Sequence, residues 1–140
     1  MGMGSSAVAF PGREAVTKGM DNSFAGKFLQ AKQVFEQASD FLKFNVEKMC
    51  YAHASIDIKW QTICLVTHCY AIYKVFESLY GKPSAFAGYS QGEFTACAAA
   101  GVFAFPEVLE LVYNLEQLLR LEKTNDECMY RLIDIDRDTL

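Results

Sequence analysis

Residues 85–93 read AFAGYSQGE, a short apolar run followed by a serine that stands between two glycines. The spacing Gly88-x-Ser90-x-Gly92 is that of a nucleophile elbow, a sharp strand-to-helix turn that exposes a serine hydroxyl. Glycines suit such a turn because a Cβ would collide with the neighbouring strand or helix, and because glycine tolerates unusual backbone angles. The backbone N–H of Gln91, at the start of the next helix, is predicted to point at an oxyanion formed on Ser90.

By itself the motif is weak, because a serine that only caps a helix can stand in the same pattern. The surrounding sequence favours the elbow. The run 84–87 is typical of a short strand, and the alanine-rich run 91–100 is typical of a helix. We therefore interpret Ser90 as a candidate nucleophile, with Gly88 and Gly92 as the elbow glycines.

The composition indicates one small globular domain. The chain has 140 residues, of which 51% are hydrophobic and 21% charged, so it can bury a core. Its net charge of −4 and the lack of a lysine or arginine run argue against nucleic-acid binding. No apolar segment is long enough to span a bilayer, and no signal peptide is recognisable. The five cysteines have neither CxxC nor zinc spacing, which predicts reduced thiols in a cytoplasmic protein and no metal site.

Strands alternate with helices along the chain. Apolar runs predict strands over 7–10, 84–87 and 129–135. Helical spacing predicts helices over 24–44 (in two pieces, the second capped by Asp40), 60–80, 91–100 and 106–121, with a mixed stretch over 46–58. This order predicts an α/β fold with a mainly parallel sheet and flanking helices. Since the strand over 129–135 has no further strand after it, we expect these residues to be the front part of a larger domain.

Two separated motifs, Phe10-Pro11-Gly12 and residues 88–96, resemble those of malonyl-CoA:acyl-carrier-protein transacylases, a family that includes the acyltransferase domains of polyketide and fatty-acid synthases. The first motif resembles the end of the family's opening strand, and the second resembles its Gly-His-Ser-Leu-Gly-Glu-Tyr. Residues 99–102 are similar to its Ala-Gly-Val run. By this resemblance residues 1–128 form the first part of the large subdomain, and residues 129–140 begin a small ferredoxin-like subdomain.

The resemblance implies acyl transfer by a ping-pong route. An acyl group passes from a coenzyme A or acyl-carrier thioester to a serine, and then to the phosphopantetheine of an acyl carrier protein. It implies acyl-CoA and phosphopantetheine thioesters as substrates, no bound cofactor, and polyketide or fatty-acid synthase components as partners. The residues it assigns are Ser90 as nucleophile, Gln91 and Arg13 in the oxyanion hole, and Gln61, Tyr89 and Leu115 in the substrate pocket.

Three departures from the family pattern bear on activity. Tyr89 replaces the histidine beside the serine, a residue that is not the base. Arg13 and Glu14 replace the glutamine and glycine of the loop after the first strand, so this loop is bulkier and charged. Leu115 replaces the arginine that binds the malonyl carboxylate, which predicts loss of malonyl selectivity.

No histidine follows Ser90 in the chain, and the resemblance places the general base beyond residue 140. His53, in an expected loop, and His68, in an expected buried helix, are the two histidines present. Besides the transferase, three alternatives therefore stay open. They are an acyl-thioester hydrolase of the same fold, an inactive module that docks a carrier protein or synthase, and an unrelated α/β-hydrolase esterase, against which the Phe-Pro-Gly opening argues.

Overall fold

The fold contains a two-stranded parallel sheet, most of whose residues are exposed or half-buried. The computed structural model describes residues 6–16, 26–51 and 56–121. Strand β1 (Ala7–Phe10) pairs with strand β2 (Ala85–Gly88), in a register that places Ala7 opposite Ala85 and Phe10 opposite Gly88. Parallel strands need a long crossover, and the helices between them supply it. The predicted α/β class with a parallel sheet is confirmed for the described residues.

Five α-helices lie within the described residues. They are α1 (Leu29–Leu42), α2 (Val46–Cys50), α3 (Ile58–Tyr80), α4 (Gly92–Ala100) and α5 (Phe105–Leu121), and a 3-10 turn (Arg13–Ala15) follows β1. Helix α4 contacts both strands of the sheet. The helices predicted over 60–80, 91–100 and 106–121 are confirmed within two residues at each end.

The region around Asp40 differs from the prediction. Helix α1 is a single helix, and Asp40 lies exposed inside it instead of capping a second piece. Helix α1 ends at Lys43, which has a left-handed backbone with φ 62°. Asn45 then caps α2, its Oδ1 accepting from the Lys48 N–H at 2.7 Å. A short helix therefore occupies part of the stretch predicted as mixed.

Helix α3 forms the core, as its apolar sequence predicts. Ten of its 23 residues are buried, on several faces of the helix. It packs against α1, α4 and α5. Gly81 ends the helix with a positive φ of 85°.

Helix α5 is amphipathic, and its inner face carries one charged residue. Phe105, Val108, Leu109 and Val112 are buried at helical spacing, and Glu116 continues the same stripe with 7% of its surface exposed. A carboxylate on a core-facing stripe needs a partner, because burying an unpaired charge is costly. That partner is Arg13, in the 3-10 turn after β1.

Several predictions fall on residues that the structure does not describe. The strand over 129–135, the ferredoxin-like subdomain entry with its boundary at residue 128, and His53 lie outside the described ranges. The division into 1–128 and 129–140 therefore stays a prediction. Within the described ranges, no helix is both long and apolar enough to cross a membrane.

Candidate active site

Ser90 occupies a strained turn between β2 and α4. Its φ is 52°, in the left-handed region that non-glycine residues rarely adopt, and the residue is exposed. A left-handed backbone costs a non-glycine residue about 1–2 kcal/mol. Such strain persists where the surrounding structure enforces it, and it clusters at functional sites. The turn is thus the sharp, exposed one that a serine elbow requires.

The two flanking glycines permit this turn. A Cβ on Gly88 would lie 2.3 Å from the backbone N of Glu93, and a Cβ on Gly92 would lie 2.3 Å from the backbone O of Phe10. Both obstacles are backbone atoms, which cannot move aside as a flexible side chain can. Neither glycine has a positive φ. Each glycine is therefore required because the chain approaches closely there, and not because its backbone angles are unusual. Of the two roles predicted for these glycines, the structure supports the steric one.

At the start of α4, the three backbone N–H groups after Ser90 differ in their hydrogen bonds. The Gly92 and Glu93 N–H groups donate within the turn, to the carbonyls of Tyr89 at 2.9 Å and Ser90 at 3.1 Å. No backbone carbonyl of the described residues accepts from the Gln91 N–H, and no side chain caps the helix. The N-terminus of a helix attracts negative charge through such N–H groups. This end of α4 can therefore stabilise an anion that forms on Ser90.

Arg13 reaches from the turn after β1 to the elbow. Its Nε donates to Gln91 Oε1 at 3.0 Å. Its Nη2 donates to Glu116 Oε1 at 2.8 Å and to Thr62 Oγ1 at 3.2 Å. Thr62 Oγ1 in turn donates to Glu116 Oε1 at 2.6 Å. One guanidinium thus joins four elements: the turn after β1, the elbow, α3 and α5.

The sequence interpretation missed Thr62 and Glu116. Glu116 carries the charge that Arg13 needs, and its side chain is only 9% exposed. One sequence signal existed: Glu116 stands four residues after Val112 on the apolar stripe of α5, where a solvated glutamate does not belong. Nothing in the sequence tied it to Arg13, which lies 103 residues earlier.

The predicted pocket residues are only partly brought together. Tyr89 is 55% exposed, and its ring lies where a Cβ on Gly12 would come within 3.0 Å of it, so it covers the loop after β1. Leu115 is 38% exposed on α5, next to Glu116. Gln61 is different, because its amide donates to the Ile56 carbonyl at 3.1 Å, before the start of α3. It is the neighbouring Thr62 that joins the Arg13 network.

The remaining nucleophilic and basic groups lie elsewhere. His68 is half-buried, and its Nδ1 lies 3.3 Å from the Tyr51 hydroxyl. His68 and Cys69 line an apolar cleft of about 410 Å³ beside β1, which none of Ser90, Gln91 and Tyr89 lines. Burial raises the pKa of Cys69 to about 11, which keeps its thiol protonated and a poor nucleophile near neutral pH.

No metal site is apparent in the part of the chain that the structure describes. There, no group of three or more His, Cys, Asp or Glu side chains is placed to hold an ion. Four cysteines within these ranges are free thiols, three of them buried: Cys50, Cys64, Cys69 and Cys97. Arg13 and Glu116 form a charged pair beside the elbow, and the exposed Glu93 stands in the first turn of α4. The chemistry available there is that of a serine hydroxyl near the N-terminus of a helix.

A parallel β-strand, a strained serine turn and a following helix define an acyltransferase-like α/β fold, and comparison with known proteins agrees. A malonyl CoA-acyl carrier protein transacylase of Bacillus subtilis is 34% identical over 115 residues, which cover 79% of this chain and 28% of the relative. The polyketide biosynthesis protein PksE of Bacillus subtilis is 32% identical, over 79% of this chain and 14% of the relative. No protein-family model matches the chain.

A solved structure gives the same answer. A malonyl-transacylase in complex with its type II polyketide-synthase acyl-carrier protein superposes with a TM-score of 0.76 at 30% identity, over 84% of this chain and 40% of that one. The chain is thus related to the malonyl-CoA:acyl-carrier-protein transacylase and polyketide acyltransferase family, as its motifs predict. It spans less than half the length of the curated relatives it matches.

Proposed function

We propose that this chain carries the nucleophile of an acyltransferase. An acyl group moves from a coenzyme A or acyl-carrier thioester to Ser90, and from there to the phosphopantetheine thiol of a carrier protein in polyketide or fatty-acid biosynthesis. The observation that carries this proposal is the φ of 52° at exposed Ser90, directly before a helix N-terminus. The strain has no evident purpose in packing, because the side chain is exposed.

The proposed chemistry has two balanced steps. Ser90 Oγ forms a bond to the thioester carbonyl carbon, the C–S bond breaks, and the serine proton passes through a general base to the leaving thiolate. In the second step the carrier thiol sulfur forms a bond to the carbonyl carbon of the seryl ester, the C–O bond to Ser90 breaks, and the thiol proton passes through the same base to Ser90 Oγ. The family resemblance assigns the base to a histidine beyond residue 140, and His68 is already bonded to Tyr51.

We assign the oxyanion hole to the Gln91 N–H, with Arg13 as second donor. One such donor contributes roughly 3 kcal/mol of transition-state stabilisation in a comparable hole. Arg13 Nε is held on the Gln91 side chain at 3.0 Å, so its guanidinium stays beside the elbow. Arginine keeps its charge and presents several donors in a rigid plane, which suits this position.

We propose that this site lacks malonyl selectivity and prefers acyl groups without a carboxylate. Leu115 stands at the position of the family's carboxylate-binding arginine, and a leucine offers no donor to a carboxylate. With Tyr89 it is proposed to form part of an apolar substrate wall, and Gln61 is proposed as a polar residue of the same pocket. A carrier protein is proposed as the partner because a related malonyl-transacylase has been solved with its own acyl-carrier protein. No bound cofactor is proposed, since the thioesters are substrates.

Intact-protein mass spectrometry tests the proposal. The chain is incubated with acetyl-, malonyl- and longer acyl-CoA, and Ser90→Ala and Ser84→Ala are treated in the same way. Ser84 is a matched control because it is also exposed and stands at the other end of β2. We expect an acyl adduct on the wild type and on Ser84→Ala, and none on Ser90→Ala.

The fate of the adduct separates the alternatives. Discharge that requires added carrier protein supports transfer, whereas equal loss in buffer alone would favour a hydrolase. An adduct that persists in Ser90→Ala would refute Ser90 as the nucleophile. Complete absence of labelling with every thioester would favour the non-catalytic docking module if the intact mass of the untreated protein exceeds that of the 140 residues. At the mass of the 140 residues, the same result would mean that the base is missing.

A further inference from the structure

In the candidate site, the carboxylate of Glu116 forms an ion pair with Arg13. Glu116 Oε1 accepts from Arg13 Nη2 at 2.8 Å and from Thr62 Oγ1 at 2.6 Å. The Glu116 side chain is 9% exposed and that of Arg13 is 32% exposed, so the glutamate is the inner member of the pair. Gln91 holds the Nε of the same guanidinium, one residue after Ser90.

These hydrogen bonds hold the guanidinium of Arg13 in place, and Glu116 neutralises its charge. Two of its three nitrogens have acceptors on α5, α3 and the elbow, and Nη1 has no acceptor among the described residues. The positive charge is balanced by a buried negative charge. An arriving acyl group therefore meets a neutral pair, rather than an arginine with an unpaired charge. Within the described part of the chain, Nη1 is the guanidinium nitrogen left to donate.

A neutral pair treats charged and uncharged acyl groups differently. A second carboxylate near Arg13 would lose its hydration, compete with Glu116 for the same cation and be repelled by the glutamate. An uncharged acyl carbonyl would need only one hydrogen bond. Specificity is often set in this way, by a group that makes the wrong ligand unfavourable.

We propose that Glu116 is a specificity-determining residue that excludes carboxylated acyl groups, by occupying Arg13 in the way a substrate carboxylate would. This inference rests on the proposed function and deepens it. The selection against carboxyacyl thioesters is then active, through the charge of Glu116, and is not only the loss of a donor at Leu115. The substitution Glu116→Gln removes that charge and keeps a hydrogen-bonding side chain, so Arg13 should then be able to bind a substrate carboxylate.

Binding measured without turnover tests this role. Ser90→Ala is titrated calorimetrically with acetyl-CoA and malonyl-CoA, alone and combined with Glu116→Gln and with Arg13→Gln/Glu116→Gln. The coenzyme part is common to both ligands, so the ratio of their dissociation constants reports on the carboxylate. We expect malonyl-CoA to bind the Ser90→Ala protein at least tenfold more weakly than acetyl-CoA. Glu116→Gln should lower the ratio of the malonyl-CoA dissociation constant to that of acetyl-CoA at least tenfold. The added Arg13→Gln should reverse this change.

The outcomes separate this role from a purely structural one and from the proposed function. A ratio that Glu116→Gln changes by less than twofold would overturn the inference, and so would no detectable binding of either thioester. If Glu116→Gln does not fold, the protein with Glu116 intact still tests the inference, because equal or tighter binding of malonyl-CoA would contradict active exclusion. The ratio can shift as expected even if Ser90 is never acylated, in which case only the proposed function fails.

Discussion

Gly92 is one of the two elbow glycines at which a larger side chain has no room. A Cβ there would lie 2.3 Å from the Phe10 carbonyl oxygen and 2.6 Å from the Pro11 carbonyl oxygen, both in the chain's first described segment. We predict that Gly92→Ala lowers the free energy of unfolding by about 2 kcal/mol or more, since strand β1 and helix α4 would have to separate. Urea unfolding followed by circular dichroism measures this change.

Gly26→Ala is the matched control for this prediction. No atom of the described residues lies within 4 Å of the position that its Cβ would occupy. We expect its unfolding free energy to stay within about 0.5 kcal/mol of the wild type. Equal stabilities of Gly92→Ala and Gly26→Ala would show that the close approach of β1 and α4 is not maintained in solution.

The elbow and the Arg13 network differ in how far the sequence could predict them. The elbow is local: Gly88, Ser90 and Gly92 lie within five residues, and steric arguments about one turn predict their arrangement. The pair of Arg13 and Glu116 is not local, because 103 residues separate its members. Finding Glu116 from sequence required taking one charged residue on an apolar stripe as a sign of a buried partner.

At the scale of elements, the accuracy of the sequence prediction depends on which residues stand at the helix ends. Pro83 and Pro106 flank predicted helix ends that the structure confirms, since proline and glycine act through local backbone geometry. The end of α1 was wrongly predicted because its terminating residue is a lysine. Lys43 adopts φ 62° without the glycine that usually marks such a position, so Asp40 offered the more obvious signal.

Lys43 gives a prediction about the connection between α1 and α2. Its left-handed backbone at the end of α1 favours glycine, so Lys43→Gly should relieve steric strain. The flexible unfolded chain of the variant offsets part of the gain. We expect a net stabilisation of about 0.5–1 kcal/mol, measured by urea unfolding.

Lys48→Gly tests whether that gain is specific to the left-handed position. Lys48 is also an exposed lysine, but it lies inside α2, where glycine costs about 1 kcal/mol. The two variants lose the same charge and side chain. A destabilisation by both would mean that the α1 terminus does not hold its left-handed conformation.

At the scale of the whole molecule, the outer side of α5 is unusually apolar. Leu111, Leu115, Leu118 and Leu119 are 38–57% exposed at spacings of three and four residues. Large contiguous apolar patches on a protein surface mark interaction sites or lead to association. The inner stripe of the same helix is buried against the core, so α5 is apolar on two sides, and one of them faces solvent in this chain.

We predict that this stripe makes the 140-residue chain associate with itself. Burying one exposed leucine contributes on the order of 1 kcal/mol, so removing two should weaken association by about tenfold or more. Leu111→Lys/Leu118→Lys should therefore shift the chain toward the monomer in sedimentation equilibrium, while leaving Leu115 and the candidate site intact. Gln33→Lys/Gln37→Lys adds the same charge on an exposed face of α1 and should leave association unchanged. Equal effects of the two double variants would assign the change to net charge, and a wild type that stays monomeric at high concentration would contradict the prediction outright.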